Sequence, residues 1–228
     1  MINESDITAT LIIDGFIEDA LLCINSLLEH CDVPIYLLVN GKQDFFALEN
    51  LSPRLKITYV KQKLGWSNAV NLILEQVPTK YLVLMDSSTR LVGNPFPPVL
   101  EKLSGSFIGV GWKGGLINLD DEWRSVEDKG PGEVDVLFGY FMALNREFAQ
   151  EVGANPSAKY YRNADLELSL ALRECGGTLL QIDLPLVQER HHGYHDVDEG
   201  YREKHSKENY QRLLKRFRGN IGILAPRR

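Results

Sequence analysis

Several polar residues in this 228-residue chain stand directly behind apolar runs, where a ligand could reach them. Asp86 ends the run Lys80–Met85 (KYLVLM) and opens Asp86-Ser87-Ser88. Asp14-Gly15 follows TATLII (Thr8–Ile13), and Asn40-Gly41 follows PIYLLV (Pro34–Val39). In an open parallel sheet, ligands bind in the crevice beyond the carboxyl ends of the strands, so three polar ends on one edge mark a candidate site. Asp, Asn and Gly also make turns for purely local reasons, and Asn40-Gly41 taken alone reads as a turn. Asp86 reads otherwise, because it directly follows a continuous apolar strand. Asp165 opens a helical segment, a position where the helix dipole favours a carboxylate in any case. His191, His192 and His195 cluster as HHGYH. A structural zinc site needs about four ligands at fixed geometry, and no paired Cys/His spacing supplies them.

The elements that would carry these residues alternate. Thr8–Ile13 reads as a buried strand, and Ile17, Ala20, Leu21, Ile24, Leu27 and Leu28 recur at helical spacing behind it. Strands follow at Pro34–Val39 and Leu55–Val60, a helix at Asn68–Val77, and a fourth strand at Lys80–Met85. Strand and helix in alternation imply a mostly parallel sheet with helices on both faces. Phe107–Trp112 reads as a short strand and Gly114–Gly132 as a long loop or lid. Val134–Leu144 reads as one strand, with Gly139 permitting close approach of backbone or ligand. Helices are expected at Arg146–Val152 and Asp165–Glu174, the second capped by Gly176-Gly177, and a short strand at Thr178–Ile182. Tyr210, Leu213, Leu214 and Phe217 place one apolar stripe on a charged C-terminal helix.

The composition, 44% apolar and 25% charged, allows a sizeable core. A net charge of −6 argues against non-specific nucleic-acid binding. The three cysteines make no disulfide framework and suggest a reducing compartment, hence the cytoplasm. Cys23 and Cys175 sit in apolar helical patterns and are expected to be buried. No apolar stretch approaches the ~20 residues that span a bilayer, so membrane contact would be peripheral. There is no G-x-S-x-G elbow, no G-x-G-x-x-G after the first strand and no G-x-x-x-x-G-K-[ST] loop, which argues against Ser-His-Asp, dinucleotide and P-loop chemistry.

In their order, TLIIDGFIEDALLCINSLL, IYLLVNGK, LGWSNAVNLIL, YLVLMDSS, VLFGYFMALNR, NADLELSLALRECGG and QERHHG resemble the family-two glycosyltransferases of the GT-A fold. The resemblance covers roughly Ala9 to Gly193. It implies an α/β fold, with a GT-A domain over 1–195, a nucleotide-binding half at 1–90 and an acceptor-binding half at 91–195. Residues 196–228 would form a helical tail packed on that domain.

The resemblance implies an inverting transfer of a sugar from a nucleotide-diphosphate donor to a hydroxyl of a glycan, lipid-linked or protein acceptor. Positive charge must meet the departing diphosphate, commonly from Mg²⁺ or Mn²⁺ held by carboxylates. Asp86 matches the first Asp of the family's Asp-x-Asp motif, with Ser88 in the second position. Asp165 matches the Asp of the Glu-Asp motif and is the candidate general base. His191 or His192 matches a late histidine that completes a metal shell. Asp14, Gly15, Phe16, Asn40, Gly65, Asn68 and Ser87 fall where the family lines the nucleotide pocket, and Phe138 and Gly139 on the acceptor side. The sequence departs from the family at Ser88, at Ala164 in place of the motif's Glu, at Asp14-Gly15 and at Asn40. These departures admit a degenerate domain that binds a nucleotide, glycan or partner without transfer. A nucleotidyltransferase is a weaker alternative. Trp66, Trp112 and Trp123 could stack on sugar rings, Trp66 above all, since it adjoins Gly65.

Overall fold

The computed structural model describes residues 3–41, 48–188 and 197–228. Strand β1 (Ile7–Ile13) is buried along its whole length, as its β-branched, uncharged sequence requires. Ile7, Ala9, Leu11 and Ile13 pack against Ala20, Ile24 and Leu27 of helix α1 (Ile17–His30). Ile12, on the opposite face, joins Trp66, Ala69 and Ile73 of helix α2 (Trp66–Gln76). The alternation of strand side chains thus feeds two helical layers from one sheet.

Parallel pairing joins β3 (Leu55–Val60), β2 (Ile35–Asn40), β1 and β4 (Tyr81–Met85) in that order. The chain then passes through β5 (Thr89–Leu91), helix α3 (Phe96–Leu103), β6 (Gly109–Gly111), β7 (Gly114–Ile117), β8 (Val126–Glu127), β9 (Gly132–Val134) and β10 (Val136–Leu137). It returns as β11 (Phe141–Asn145), which lies antiparallel against β4 with Phe141 opposite Met85. Helices α4 (Arg146–Val152) and α5 (Ala164–Glu174), strands β12 (Leu179–Gln181) and β13 (Leu186–Gln188) and helix α6 (Glu199–Phe217) follow. The main sheet of eight strands runs β3-β2-β1-β4-β11-β6-β12-β9.

The first half follows the sequence pattern closely, and the second departs from it. Gly114–Gly132 is not one loop. Its ends are β7 and the start of β9, and β7 pairs antiparallel with β8, Leu116 opposite Glu127. Gly115 serves that pairing, since a Cβ there would meet the Glu127 carbonyl oxygen at 2.5 Å. Val134–Leu144 is not one strand but three pieces. Leu137 N–H leaves the sheet for Ser169 Oγ (3.1 Å), Phe138 N–H for the Lys113 carbonyl (2.9 Å) and Gly139 N–H for Asp165 Oδ2 (3.1 Å). Backbone amides that bond to α5 side chains cannot also hold a ladder. Cys175, expected inside, is exposed at the C-terminus of α5, whereas Cys23 and Cys31 are buried.

Helix α6 buries His205, Asn209, Leu213 and Phe217, a stripe four residues apart. Leu213 and Phe217 pack with Leu170, Ala171 and Trp123. Glu167 of α5 accepts a two-pronged bond from Arg212 at 2.8 to 3.2 Å. The C-terminal segment is fastened as well. Fully buried Asp135 accepts from Arg227 (2.8 and 3.1 Å) and from the Ala225 and Ile117 amides (2.6 Å each). No helix among the described residues is long and apolar enough to cross a membrane.

Candidate active site at the strand-end edge

Asp86 leaves β4 at its carboxyl end and is almost wholly buried. Its Oδ1 accepts from the Ser88 amide (2.8 Å) and the Ser88 hydroxyl (2.7 Å), a turn closed by the side chain on its own backbone. Gln188, the last residue of β13, donates from Nε2 to Ser88 Oγ (3.0 Å). The Ser88 hydroxyl is therefore engaged on both sides. Ser87 is buried beside it.

Asp165 lies in the first turn of α5 and is 8% exposed. Asn163, in the left-handed region at φ 66°, bends the chain into the helix without capping it by its own side chain. Asp165 takes over that work. Its Oδ1 accepts from the Leu166 amide (3.0 Å) and its Oδ2 from the Gly139 amide (3.1 Å). Burial raises its pKa from 3.8 to about 6, against the opposing pull of those amides and of Arg162.

Asp86 and Asp165 line one cavity of about 270 Å³ together with Gly139, Tyr140, Tyr161 and Arg162. Phe138, Asn163 and Leu166 complete its wall. Arg162 is exposed, and its guanidinium makes no ion pair among the described residues. Burial, then the nearby carboxylates Asp165 and Asp86, keeps the Tyr140 hydroxyl protonated beyond its ordinary range. Tyr161 is shifted upward as well, first by burial. The loop that carries Tyr161 and Arg162 is held from outside. Asn209 of α6, fully buried, donates from Nδ2 to the Tyr160 (2.7 Å) and Arg162 (2.9 Å) carbonyls.

The remaining sequence-named residues form a second cluster on the same edge. Asn40, fully buried at the end of β2, donates to Asp14 Oδ2 (3.0 Å) and the Leu64 carbonyl (2.9 Å) and accepts from the Leu64 amide (2.7 Å). Lys63 reaches Asp14 Oδ1 at 2.6 Å. Gly15 (φ 83°) and Phe16 (φ 50°) turn the chain from β1 into α1, Phe16 in a conformation that a bulky residue rarely adopts. Gly65 packs against other backbone. A Cβ there would meet Lys159 Cα at 2.9 Å, and the Trp66 and Ser67 amides donate to the Lys159 and Ala158 carbonyls. Asn68 is exposed on α2.

Thus Asp86, Phe138, Gly139 and Asp165 meet at one cavity, whereas Asp14, Gly15, Phe16, Asn40, Gly65, Asn68, Ser87 and Ser88 are outside its lining. His191, His192 and His195 lie outside the described residues. Trp66 is in the core under α2 and Trp123 packs on α6, so neither presents an open stacking face, and Trp112 packs part-buried against the core. Sequence reading missed Tyr140, Tyr161, Arg162 and Lys63. Tyr140 adjoins Gly139, and Tyr161 and Arg162 stand four and three positions before Asp165, so proximity in the chain was the available signal.

Asp86 and Ser88 fit a divalent cation poorly by themselves. One carboxylate oxygen already accepts two bonds and the hydroxyl is neutral and engaged. Among the described residues, no group of three His, Cys, Asp or Glu side chains is placed to hold a metal ion.

A mostly parallel sheet between helical layers, with β11 returning antiparallel against β4, gives this chain the GT-A fold. Two solved structures carry the likeness. GalNAc-T7 with UDP, GalNAc and Mn²⁺ superposes with a TM-score of 0.69 at 15% identity, over 92% of this chain and 47% of that one. The mannosyltransferase PcManGT from Pyrobaculum calidifontis, with GDP-Man and Mn²⁺, superposes with a TM-score of 0.70 at 10% identity, over 96% of this chain and 68% of that one. This chain therefore spans about half the length of the first. No protein-family model and no curated protein matches the sequence.

Proposed function

We propose that this protein is an inverting glycosyltransferase acting on a nucleotide-diphosphate sugar and an acceptor hydroxyl. The observation that carries this reading is the meeting of Asp86 and Asp165 on one cavity at the sheet's strand-end edge. In this reading residues 1–90 bind the nucleotide, 91–195 the acceptor, and 196–228 form the tail that braces the acceptor side. Asp14, Gly15, Phe16, Asn40, Gly65, Asn68 and Ser87 shape the nucleotide side, and Phe138 and Gly139 border the acceptor.

Asp165, with a pKa of about 6, is mostly ionised at neutral pH yet basic enough to take a proton, as a general base must be. The acceptor oxygen forms its bond to the anomeric carbon as its proton passes to Asp165. The bond from that carbon to the diphosphate breaks, and its electron pair leaves with the nucleoside diphosphate. Asp86 would hold the ribose end of the donor, and Arg162 would face the phosphates. A Mg²⁺ or Mn²⁺ ion would need ligands beyond Asp86 and Ser88, for which His191 and His192 are the proposed donors. The acceptor class is a glycan, a lipid-linked sugar or a protein, and nucleic acid is disfavoured by the net charge of −6.

A second reading, a nucleotide- or glycan-binding module without transfer, is favoured by one feature: the Ser88 hydroxyl closes on Asp86 where a second carboxylate would stand. Incubation with a panel of nucleotide sugars, with and without Mn²⁺, separates the two. Release of nucleoside diphosphate supports the transferase. A thermal shift with nucleotides but no release supports the module.

A further inference from the structure

Beside the Asp86–Asp165 cavity lies a larger one of about 580 Å³, between the β7–β8 ribbon and helices α5 and α6. The two share Phe138, Arg162, Asn163 and Leu166, so they adjoin along that wall, with Asp165 on the side of the smaller cavity. Cavities of roughly 300–1,000 Å³ with apolar walls and few polar groups are of a size that takes small organic ligands.

The chemistry of its wall is one-sided. Ile117, Val126, Phe138, Leu166 and Leu213 line it with hydrocarbon. Tyr210 adds its ring while its hydroxyl is tied to the Trp123 carbonyl (3.2 Å). A wholly polar ligand such as a sugar would leave this hydrocarbon part of the wall uncovered. The charged residues of the lining are Arg124, Arg162 and Lys207 against Glu203, a surplus of positive charge. Arg162 and Lys207 make no ion pair among the described residues, and Arg124 reaches Glu122 only at 4.0 Å, with both side chains well exposed. Hydrocarbon below and uncommitted cations above match one kind of molecule, a chain with an acidic head.

We propose that this groove binds a free amphiphilic acid, its hydrocarbon chain against Ile117, Val126 and Leu213 and its anionic group at Arg124 and Lys207, and that a hydroxyl on this molecule is the acceptor presented to Asp165. The acceptor role rests on the transferase reading, but the binding does not. The protein selects this ligand by two independent contacts, so loss of either the chain or the charge weakens it.

The test is direct binding without donor, by calorimetry on the full chain, using decanoate and decyl phosphate as probes and decanol as the uncharged control. Both anions are expected to bind more tightly than decanol at low ionic strength, and to lose that advantage as salt rises. Shortening the chain should weaken binding by about fourfold per methylene until little of the wall is covered. The double variant Arg124→Glu/Lys207→Glu should weaken the anions by about tenfold and leave decanol unchanged, both side chains being solvent-facing. Val126→Trp, which fills the groove, should weaken all three. Lys204→Glu, on α6 but outside the lining, should change nothing. Equal affinity for decanol and the anions would overturn the proposal, as would unchanged affinity in the double variant. Tighter binding of an acidic peptide, or binding only to anionic vesicles, would overturn it in favour of those partners. Nucleoside diphosphates titrated separately keep the two readings apart. Amphiphile binding without nucleotide binding defeats the transferase reading alone, and the reverse defeats the groove alone.

Discussion

Two fully buried asparagines stitch the strand-end edge, and they do so from opposite directions. Asn40 acts from within the sheet, tying the end of β2 to Asp14 behind β1 and to both backbone groups of Leu64 before α2. Asn209 acts from outside it, reaching from α6 to the Tyr160 and Arg162 carbonyls. The Asp14–Asn40 side of the edge is thus fixed by the same parallel strands that form the core, whereas the Asp165 side is fixed by helix α6. The first arrangement couples site geometry to global stability. The second lets the site loop lose its brace while the sheet survives.

The proposed base, Asp165, gives the largest expected effect. Asp165→Asn keeps the shape of the side chain and removes its basicity, so turnover should fall by about 10²–10⁴-fold, the range general base catalysis contributes. Donor affinity should stay within about twofold. In the wild type, kcat/KM should rise with pH through about 6 as Asp165 ionises. A variant with normal turnover would remove Asp165 from its role and break the division between the two sides.

Asn40→Ala removes three bonds among buried groups and should destabilise the whole domain by about 2–4 kcal/mol, read as a lower urea midpoint with unchanged slope. Asn209→Ala should cost less, about 1–3 kcal/mol, because it strips two carbonyls at the edge of a loop, while Arg212, the donor to its Oδ1, keeps its bonds to Glu167. It should lower turnover more than stability, and hydrogen exchange should show faster opening of residues 160–163 with protection of β1 and β4 intact. If both variants unfold the protein equally, the contrast between the sides is lost. Asp86→Ala should then sharpen it, weakening nucleoside diphosphate binding by about tenfold while Asp86→Asn, which can still accept from Ser88, recovers part.

The Asp14–Asn40 side was legible in the sequence because one physical rule governs it. Thr8–Ile13, Leu55–Val60 and Lys80–Met85 are short runs dominated by apolar and β-branched residues, and the structure puts β1, β3 and β4 within a residue of them. Asp86 and Asp165 were legible as positions, and Asn40 and Gly65 as polar or small residues at an edge. Their partners were not, because long-range pairing such as Asn40 with Leu64 or Gly65 with Lys159 leaves no local pattern. The Asp165 side hid more. Val134–Leu144 has the composition of one strand, but Ser169 and Asp165, some thirty residues on, capture its amides and break it. Strand propensity is overridden wherever a distant side chain offers a better partner.

The smallest effect tests whether the buried carboxylate of Asp165 carries a cost in stability. Asp165 binds its proton more tightly in the folded chain than in the unfolded one, since burial lifts its pKa from 3.8 to about 6. Its contribution to stability is therefore fully present below about pH 4 and is lost as pH rises through about 6. Above that the folded protein holds a buried carboxylate that costs at most about 3 kcal/mol, with the help of the Gly139 and Leu166 amides already included. Asp165→Asn, which cannot ionise, should then be more stable than the wild type by about 1 kcal/mol at pH 8 and no more stable at pH 4. No matching gain is expected from Asn40→Ala or Asn209→Ala at any pH, because neither removes a charge. Chemical denaturation of the three variants at both pH values checks it. A pH-independent difference for Asp165→Asn would mean that the carboxylate is not held against its own ionisation, and the base would have to be sought elsewhere on the cavity wall.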